Sequence, residues 1–211
     1  MQGIDIIFSI GIIIFSAVAH EVSHGCAAFM LGDPTARNAG RLTLNPIKHL
    51  DPVGSVLVPL LLVVTSSVGG GQPFWFGWAK PVPFNPYNLR VGRWGPAIVA
   101  AAGPCANLLI AVFFGILIRF VFSVYFVPIA LLHITTWIVI INLNLAVFNL
   151  VPIPPLDGSK VLFALLPYRY ISLQRFLERY GLLLLIFFIF ILGNVLIPFE
   201  SFLFHLITGL Q

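Results

Sequence analysis

Long apolar segments separated by short polar loops make up most of this chain. Four of them reach the roughly 20 residues that a bilayer-spanning helix needs, and they cover about 6–30, 97–118, 129–150 and 180–197. A shorter apolar run covers 53–68. Residues 159–180 alternate apolar and basic side chains at helical spacing, which predicts an interfacial amphipathic helix or a pair of them. The pattern therefore predicts a bundle of membrane-spanning α-helices.

Basic residues are concentrated in three loops, and this constrains the topology. Loops 32–51, 71–94 and 160–180 hold three, three and four of the eleven Lys and Arg residues. Because cytoplasmic loops carry the excess of Lys and Arg, all three loops are expected on the cytoplasmic side. The region 53–94 would then begin and end on one side of the membrane. It is predicted to be a re-entrant hairpin, or a short span whose loop returns through protein.

Composition agrees with a membrane protein and excludes a soluble domain. Hydrophobic residues make up 59% of the chain and charged residues 9%, against about 25% charged residues in soluble domains. The net charge of +4 comes without a basic cluster interleaved with aromatics, so the expected partner is the lipid bilayer and not nucleic acid. The predicted fold is an all-α polytopic bundle with four to five spans and a re-entrant or extended loop. It is expected to form one domain over 1–211, multi-pass in the cell membrane.

Three costly side chains interrupt the first apolar segment. Residues 17–29 read AVAHEVSHGCAAF, so His20, Glu21 and His24 form an H-E-x-x-H motif on a predicted helix. The four-residue spacing points both imidazoles the same way, and two neutral imidazoles suit Zn²⁺. Zinc lowers the pKa of a bound water, and the Glu21 carboxylate can take its proton. Ionisable groups inside a span indicate function; the alternative is a buried polar cluster that only pairs helices.

Asp157 is the candidate third ligand, because a catalytic zinc usually takes three protein ligands. It lies in PPLDG, after an apolar segment, where prolines break the helix and Gly158 permits a turn. If the first helix enters from outside, both its histidines and Asp157 lie toward the cytoplasmic end. The residues alone leave an equal alternative, in which Asp157 caps a new helix.

Four motifs together resemble the site-2 protease family of intramembrane zinc metalloproteases, in its compact form without a PDZ or CBS domain. They are HEVSH, GWAKPVPFNP, AAGPCAN and NLVPIPPLDG, and the resemblance runs from about residue 8 to 181. It implies His20 and His24 as zinc ligands, Asp157 as the third ligand and Glu21 as the catalytic base. It also implies that Asn149 binds the substrate backbone or stabilises the oxyanion. The residues alone equally allow Asn149 to satisfy backbone groups freed at the helix break.

The expected function is hydrolysis of a peptide bond within or near a transmembrane segment of a membrane-protein substrate, with one zinc ion per chain and the site toward the cytoplasm. Such a substrate must unwind, and the aromatic loop 72–86 is predicted to offer it an edge strand. Alternatives are a zinc-binding transporter and a non-catalytic metal-binding membrane protein. A transporter would have paired pseudo-symmetric halves, and zinc binding alone does not need Glu21. A further alternative is a zincin that uses Glu178 or Glu200 as its third ligand.

Three further asparagines lie in the predicted spans. Asn142 precedes Asn149 by seven residues, so it is expected on the same helix face and beside the site. Asn107 and Asn144 are predicted to form interhelical hydrogen bonds.

Overall fold

The protein is all-α across the part of the chain that the computed structural model describes, which is residues 2–51, 54, 80–122, 124–125 and 127–210. These residues form seven α-helices and no β-strand: α1 Gln2–Met30, α2 Thr35–Asn38, α3 Gly95–Ile116, α4 Ile129–Asn149, α5 Asp157–Leu165, α6 Ile171–Phe187 and α7 Gly193–Thr208. The π-helical segments Leu117–Phe122 and Phe188–Leu192 continue α3 and α6. The predicted all-α helical bundle is therefore confirmed.

Three of the described helical segments are long and apolar enough to cross a bilayer: Phe8–Met30, Gly92–Phe122 and Ile129–Asn149. They match three of the four spans that the apolar pattern predicts. A fourth span arises if Tyr168–Ile191 and Val195–Thr208 are counted together, but these two helices meet at 72°. The last span predicted over 180–197 lies within this bent pair of helices. The apolar run 53–68, on which the re-entrant prediction depends, lies outside the described residues apart from Gly54.

Helix α3 is the centre of the bundle, because it packs against α1, α4 and α5. Its buried positions are mostly small residues, among them Ala97, Ala100, Gly103 and Ala111. Lipid is as apolar as leucine, so membrane helices associate through close packing, which small residues allow. The neighbours of α3 are therefore held close to its backbone, and two of them carry the candidate ligands.

A short turn after α4 brings the chain back to α3 through α5. Gly158, the second residue of α5, lies so close to the main chain at Leu150 and Val151 that a Cβ atom there would overlap the Leu150 carbonyl oxygen. Because backbone cannot move aside as a side chain can, this contact requires glycine. It places Asp157 at the start of α5 beside the centre of the bundle. The predicted amphipathic region 159–180 forms two helices, α5 and α6.

Candidate metal centre

His20, His24 and Asp157 converge between α1 and the start of α5. Their ligand atoms all lie within 4.8 Å of one another. The Nε2 atoms of His20 and His24 are each 3.0 Å from Asp157 Oδ2. The two imidazole rings meet edge to face with their centroids 4.6 Å apart. His20 and Asp157 are buried and His24 is half-buried, so the fold brings together the three side chains that the motifs single out.

The other nitrogen of each imidazole has a hydrogen-bond acceptor on α3. His24 Nδ1 donates to the main-chain carbonyl of Val99 at 2.7 Å, and His20 Nδ1 lies 2.8 Å from Asn107 Oδ1. A carbonyl can only accept, so His24 carries a proton on Nδ1 and, when neutral, has its Nε2 lone pair toward Asp157. Two imidazole lone pairs and a carboxylate aimed at one point form the donor set that suits zinc.

Asp157 uses its carboxylate for the histidines and Lys160 rather than for capping α5. The helix begins after Leu156 without a side-chain capping hydrogen bond. Asp157 Oδ1 lies 3.3 Å from Lys160 Nζ, and Oδ2 faces the two histidines. The capping alternative is therefore not the arrangement that forms.

Gly103 lets α3 approach the histidines closely. A Cβ atom at this position would lie 2.5 Å from His24 Cε1 and 2.6 Å from Nε2 of both His20 and His24. Val99, Gly103 and Asn107 are spaced by four residues, so they lie along one face of α3. One helix face thus supplies an acceptor for each imidazole and the space between them. The sequence contains this spacing, but only its distance to the histidines reveals its use.

Glu21 is held by the main chain of the segment that follows the undescribed loop. Its Oε2 accepts the Val82 N–H at 2.8 Å. Val82 lies between Pro81 and Pro83, and proline has no N–H to donate. The Val82 N–H is therefore the one main-chain donor in this tripeptide, and it binds the glutamate of the motif.

Two residues from the loop after α1 also bond to this segment. The Lys80 N–H donates to the His49 carbonyl at 2.8 Å. Arg41 Nη2 donates to the carbonyls of Lys80 at 3.0 Å and Pro81 at 3.3 Å. These bonds hold Val82 beside Glu21 of α1. The edge strand predicted over 72–86 stays a prediction, since residues 72–79 lie outside the described part.

Asp33 is a third attachment point for this segment. It is buried, and it accepts hydrogen bonds from the Asn85 N–H at 2.6 Å, from Asn88 Nδ2 at 2.8 Å and from the Thr35 hydroxyl at 2.6 Å. Burial by itself raises the pKa of Asp33, but the hydrogen bonds from Thr35, Asn88 and Asn85 together lower it below its usual value. The carboxylate form thus stabilises the connection between the end of α1 and residues 85–88.

We expect Asp33→Asn to destabilise the protein at neutral pH and less so in acid. The asparagine amide would place N–H groups against donors, and a buried group left unpaired costs about 1–3 kcal/mol. Because the folded pKa lies below the unfolded value, the wild-type advantage is complete above about pH 5 and is lost as the pH falls through the folded pKa. Thermal unfolding of both proteins in detergent, from neutral to acid pH, measures this; an equal difference throughout would contradict it.

The remaining candidate residues do not join the cluster of His20, His24 and Asp157. Asn149 Nδ2 donates to the Leu145 carbonyl of its own helix at 2.8 Å, so its role toward substrate stays a prediction. Glu178 accepts a hydrogen bond from Gln174, and Glu200 lines a groove between α4 and α7. The fold therefore does not support the zincin alternative with a glutamate ligand.

The asparagines in the spans divide into two groups. Asn107 and Asn142 are fully buried and hydrogen-bonded to each other across α3 and α4 at 3.0 Å. Asn144 is exposed and donates to the Ile140 carbonyl of its own helix at 2.8 Å. The interhelical hydrogen bond predicted for Asn107 is confirmed, and the one predicted for Asn144 is wrong, because the Asn144 amide bonds within its own helix.

Comparison with known proteins identifies the family. Peptidase family M50 matches residues 124–192, a range that includes Asn149 and Asp157. YwhC of Bacillus subtilis is 36% identical over 190 residues, which cover 86% of this chain and 80% of that protein. Rip2 of Mycolicibacterium smegmatis is 31% identical over 153 residues, which cover 69% of this chain and 52% of that protein. Both relatives carry the name "Putative zinc metalloprotease". No solved structure matches the chain significantly.

The similarity to YwhC extends over most of both chains. It agrees with the motifs that resemble the site-2 proteases, and the apolar helices agree with a multi-pass membrane protein. The chain therefore belongs to peptidase family M50, the site-2 protease family, and is a zinc metalloprotease.

Proposed function

We propose that this metalloprotease hydrolyses peptide bonds within or beside transmembrane segments of membrane-protein substrates. The observation that carries the proposal is that His20, His24 and Asp157 converge within a membrane-spanning region. The two histidines lie on a helix that belongs to an apolar segment long enough to span a bilayer. His24 lies six residues before the end of α1 at Met30, which is roughly 9 Å along the helix axis. The cluster is thus inside the apolar segment and near one end of it.

The proposed metal ligands are Nε2 of His20, Nε2 of His24 and the Asp157 carboxylate, for one zinc ion per chain. Three protein ligands leave a position for water or substrate, as is usual for catalytic zinc. When bound, zinc supplies a Lewis acid that lowers the pKa of water and polarises a carbonyl. The Lys160 ammonium beside Asp157 Oδ1 balances part of the carboxylate charge.

Glu21 is the proposed general base. Its carboxylate takes a proton from the attacking water and delivers it to the leaving amine. The Val82 N–H on Oε2 fixes the carboxylate while leaving Oε1 to act. Asn149 is proposed to bind the substrate backbone or the developing oxyanion, after release from its bond to Leu145.

The proposed orientation places the site toward the cytoplasm. The loops with most Lys and Arg residues include 32–51, which follows the end of α1 nearest the histidines, and 160–180, which follows Asp157. Positive loops stay in the cytoplasm, so water would reach Glu21 from that side. The whole of residues 1–211 is proposed to act as one domain.

Paired substitutions of Asp157 and Glu178 test this assignment. We expect Asp157→Asn to lose most bound zinc and cleavage, because it removes the only anionic ligand, and Glu178→Gln to retain both. Zinc per chain is measured in detergent-purified proteins, and cleavage is measured on a panel of transmembrane peptides in liposomes. Full zinc occupancy in Asp157→Asn would overturn the ligand set. Zinc-loaded wild type that cleaves soluble peptides but no transmembrane peptide would overturn the intramembrane proposal.

A further inference from the structure

A chain of buried polar side chains runs from the candidate metal centre into the bundle. It links His20 Nδ1 to Asn107 Oδ1 at 2.8 Å, Asn107 Nδ2 to Asn142 Oδ1 at 3.0 Å, and Asn142 Nδ2 to Ser16 Oγ at 2.9 Å. Asn107 and Asn142 are completely buried, and His20 and Ser16 are at most 7% exposed. Burial of amides in such a core is costly unless each is hydrogen-bonded, so this chain joins α1, α3 and α4 at a defined place.

The direction of these hydrogen bonds is fixed, because one of the groups bonded to Asn142 is a main-chain carbonyl. Asn142 Nδ2 also lies 2.9 Å from the Ile138 carbonyl oxygen, which can only accept a hydrogen bond. The amide of Asn142 must therefore present its NH₂ group there and its oxygen to Asn107. Asn107 in turn must donate to Asn142 and present its own oxygen to His20. The orientation of both amides follows from this network rather than from the shape of the side chains.

The same logic determines the tautomer of His20. An amide oxygen at Nδ1 requires the proton on Nδ1, so Nε2 of a neutral His20 has its lone pair toward Asp157 and His24. A single main-chain carbonyl, that of Val99, fixes the same tautomer in His24. The two histidines are thus prepared in the same form, one by the main chain directly and the other through two side chains.

We infer that Asn107 and Asn142 act in series as positioning residues for zinc, transmitting the orientation of the Ile138 carbonyl to His20. The inference rests on the proposed metal ligands. It assigns Asn142 an effect on the His20 tautomer that passes through Asn107, since Asn142 bonds to Asn107 and to Ser16 but not to His20. Removal of the hydrogen bond to the second ring nitrogen of a metal-binding histidine lowers metal affinity by about 10–100-fold.

The test compares Asn107→Leu, Asn142→Leu and the double variant with wild type. The matched control is Asn144→Leu, because Asn144 is an exposed asparagine of α4 that bonds within its own helix. Zinc affinity is measured by chelator competition in detergent. We expect a loss of about 10–100-fold for Asn107→Leu, a smaller loss for Asn142→Leu, and no further loss in the double variant beyond Asn107→Leu. Asn144→Leu should bind zinc like wild type. Additive losses in the double variant, or wild-type affinity in Asn107→Leu, would overturn the inference.

A direct readout of the tautomer separates positioning from simple helix packing. In metal-free protein with ¹⁵N-labelled histidine, the His20 signals are identified by difference from His20→Asn. Wild type should show His20 protonated on Nδ1, and Asn107→Leu and Asn142→Leu should show a mixture of tautomers. An unchanged His20 tautomer in both variants would mean that the network only joins helices.

Asn107→Asp keeps the inference testable if the leucine variants fold poorly. Aspartate still accepts from His20 Nδ1 but cannot donate to Asn142. We expect zinc affinity at least equal to wild type together with a lower thermal stability; equal losses of both would indicate a purely structural role. A wild type that binds no zinc would instead defeat the proposed function, and so the two failures are distinguishable.

Discussion

Replacement of Glu21 with glutamine should lower cleavage by about 10²–10⁴-fold, which is the usual contribution of general acid–base catalysis, while zinc stays bound. Glutamine has nearly the same shape as glutamate, and its amide oxygen can still accept the Val82 N–H that Oε2 accepts in the wild type. It has no basic oxygen to take a proton at neutral pH. The substitution thus removes the proposed chemistry and leaves His20, His24 and Asp157 in place.

The measurement is zinc per chain and cleavage of transmembrane peptides, made on the same preparations of wild type and variant. Gln174→Ala serves as a control on α6, since Gln174 donates to the exposed Glu178 and its replacement should affect neither quantity. Cleavage by Glu21→Gln near the wild-type rate would show that another group is the base. Loss of zinc in Glu21→Gln would indicate that Glu21 supports the metal rather than the proton transfer.

Replacement of Gly103 with alanine should have the second large effect, on zinc binding and on cleavage together. The new methyl group would lie 2.5 Å from His24 Cε1 and 2.6 Å from both Nε2 atoms. The imidazoles have little freedom to retreat, because Val99 and Asn107 hold their Nδ1 atoms from the same helix. A displacement of about 1 Å at a reacting centre costs on the order of 10²-fold in rate, and we expect at least that loss in cleavage.

Two other glycines provide matched controls for Gly103→Ala. Gly115→Ala introduces a methyl group on the same helix against the Ile207 side chain, three turns from the site. It should lower thermal stability without changing zinc affinity. Gly11→Ala, on α1, places its methyl group within 4 Å of no neighbouring atom among the described residues and should change neither. If Gly103→Ala bound zinc with wild-type affinity, or if Gly115→Ala weakened zinc equally, the close approach of α3 would not be what shapes the metal centre.

Local sequence patterns were sufficient for the main helices. The predicted boundaries 6–30, 97–118 and 129–150 correspond to α1 over Gln2–Met30, α3 over Gly95–Ile116 and α4 over Ile129–Asn149. A continuous apolar segment of bilayer length has few alternatives to a helix, since every backbone group must find its partner within the segment. The last apolar segment differs: its hydrophobicity predicts a span, but hydropathy does not indicate the 72° bend between Tyr168–Ile191 and Val195–Thr208.

The chain by itself determined which side chains are chemically capable of the reaction. The H-E-x-x-H spacing depends only on the helical repeat, and it places His20 and His24 on one face before any tertiary contact forms. Composition alone also determined the membrane environment, because 9% charged residues cannot cover a surface that faces water. The family resemblance added the expected roles of Asp157 and Asn149.

Only the tertiary structure decided how distant residues act on that face. Asp157 was equally a helix cap or a ligand in sequence, and it reaches His20 across 137 positions of chain because α5 turns back onto α3. The same packing brings Val82 to Glu21 and Gly103 to both imidazoles. Asn107 and Asn142 could be predicted as polar residues that need partners. The direction of their hydrogen bonds could not, because it depends on the Ile138 carbonyl and on three helices meeting at one point.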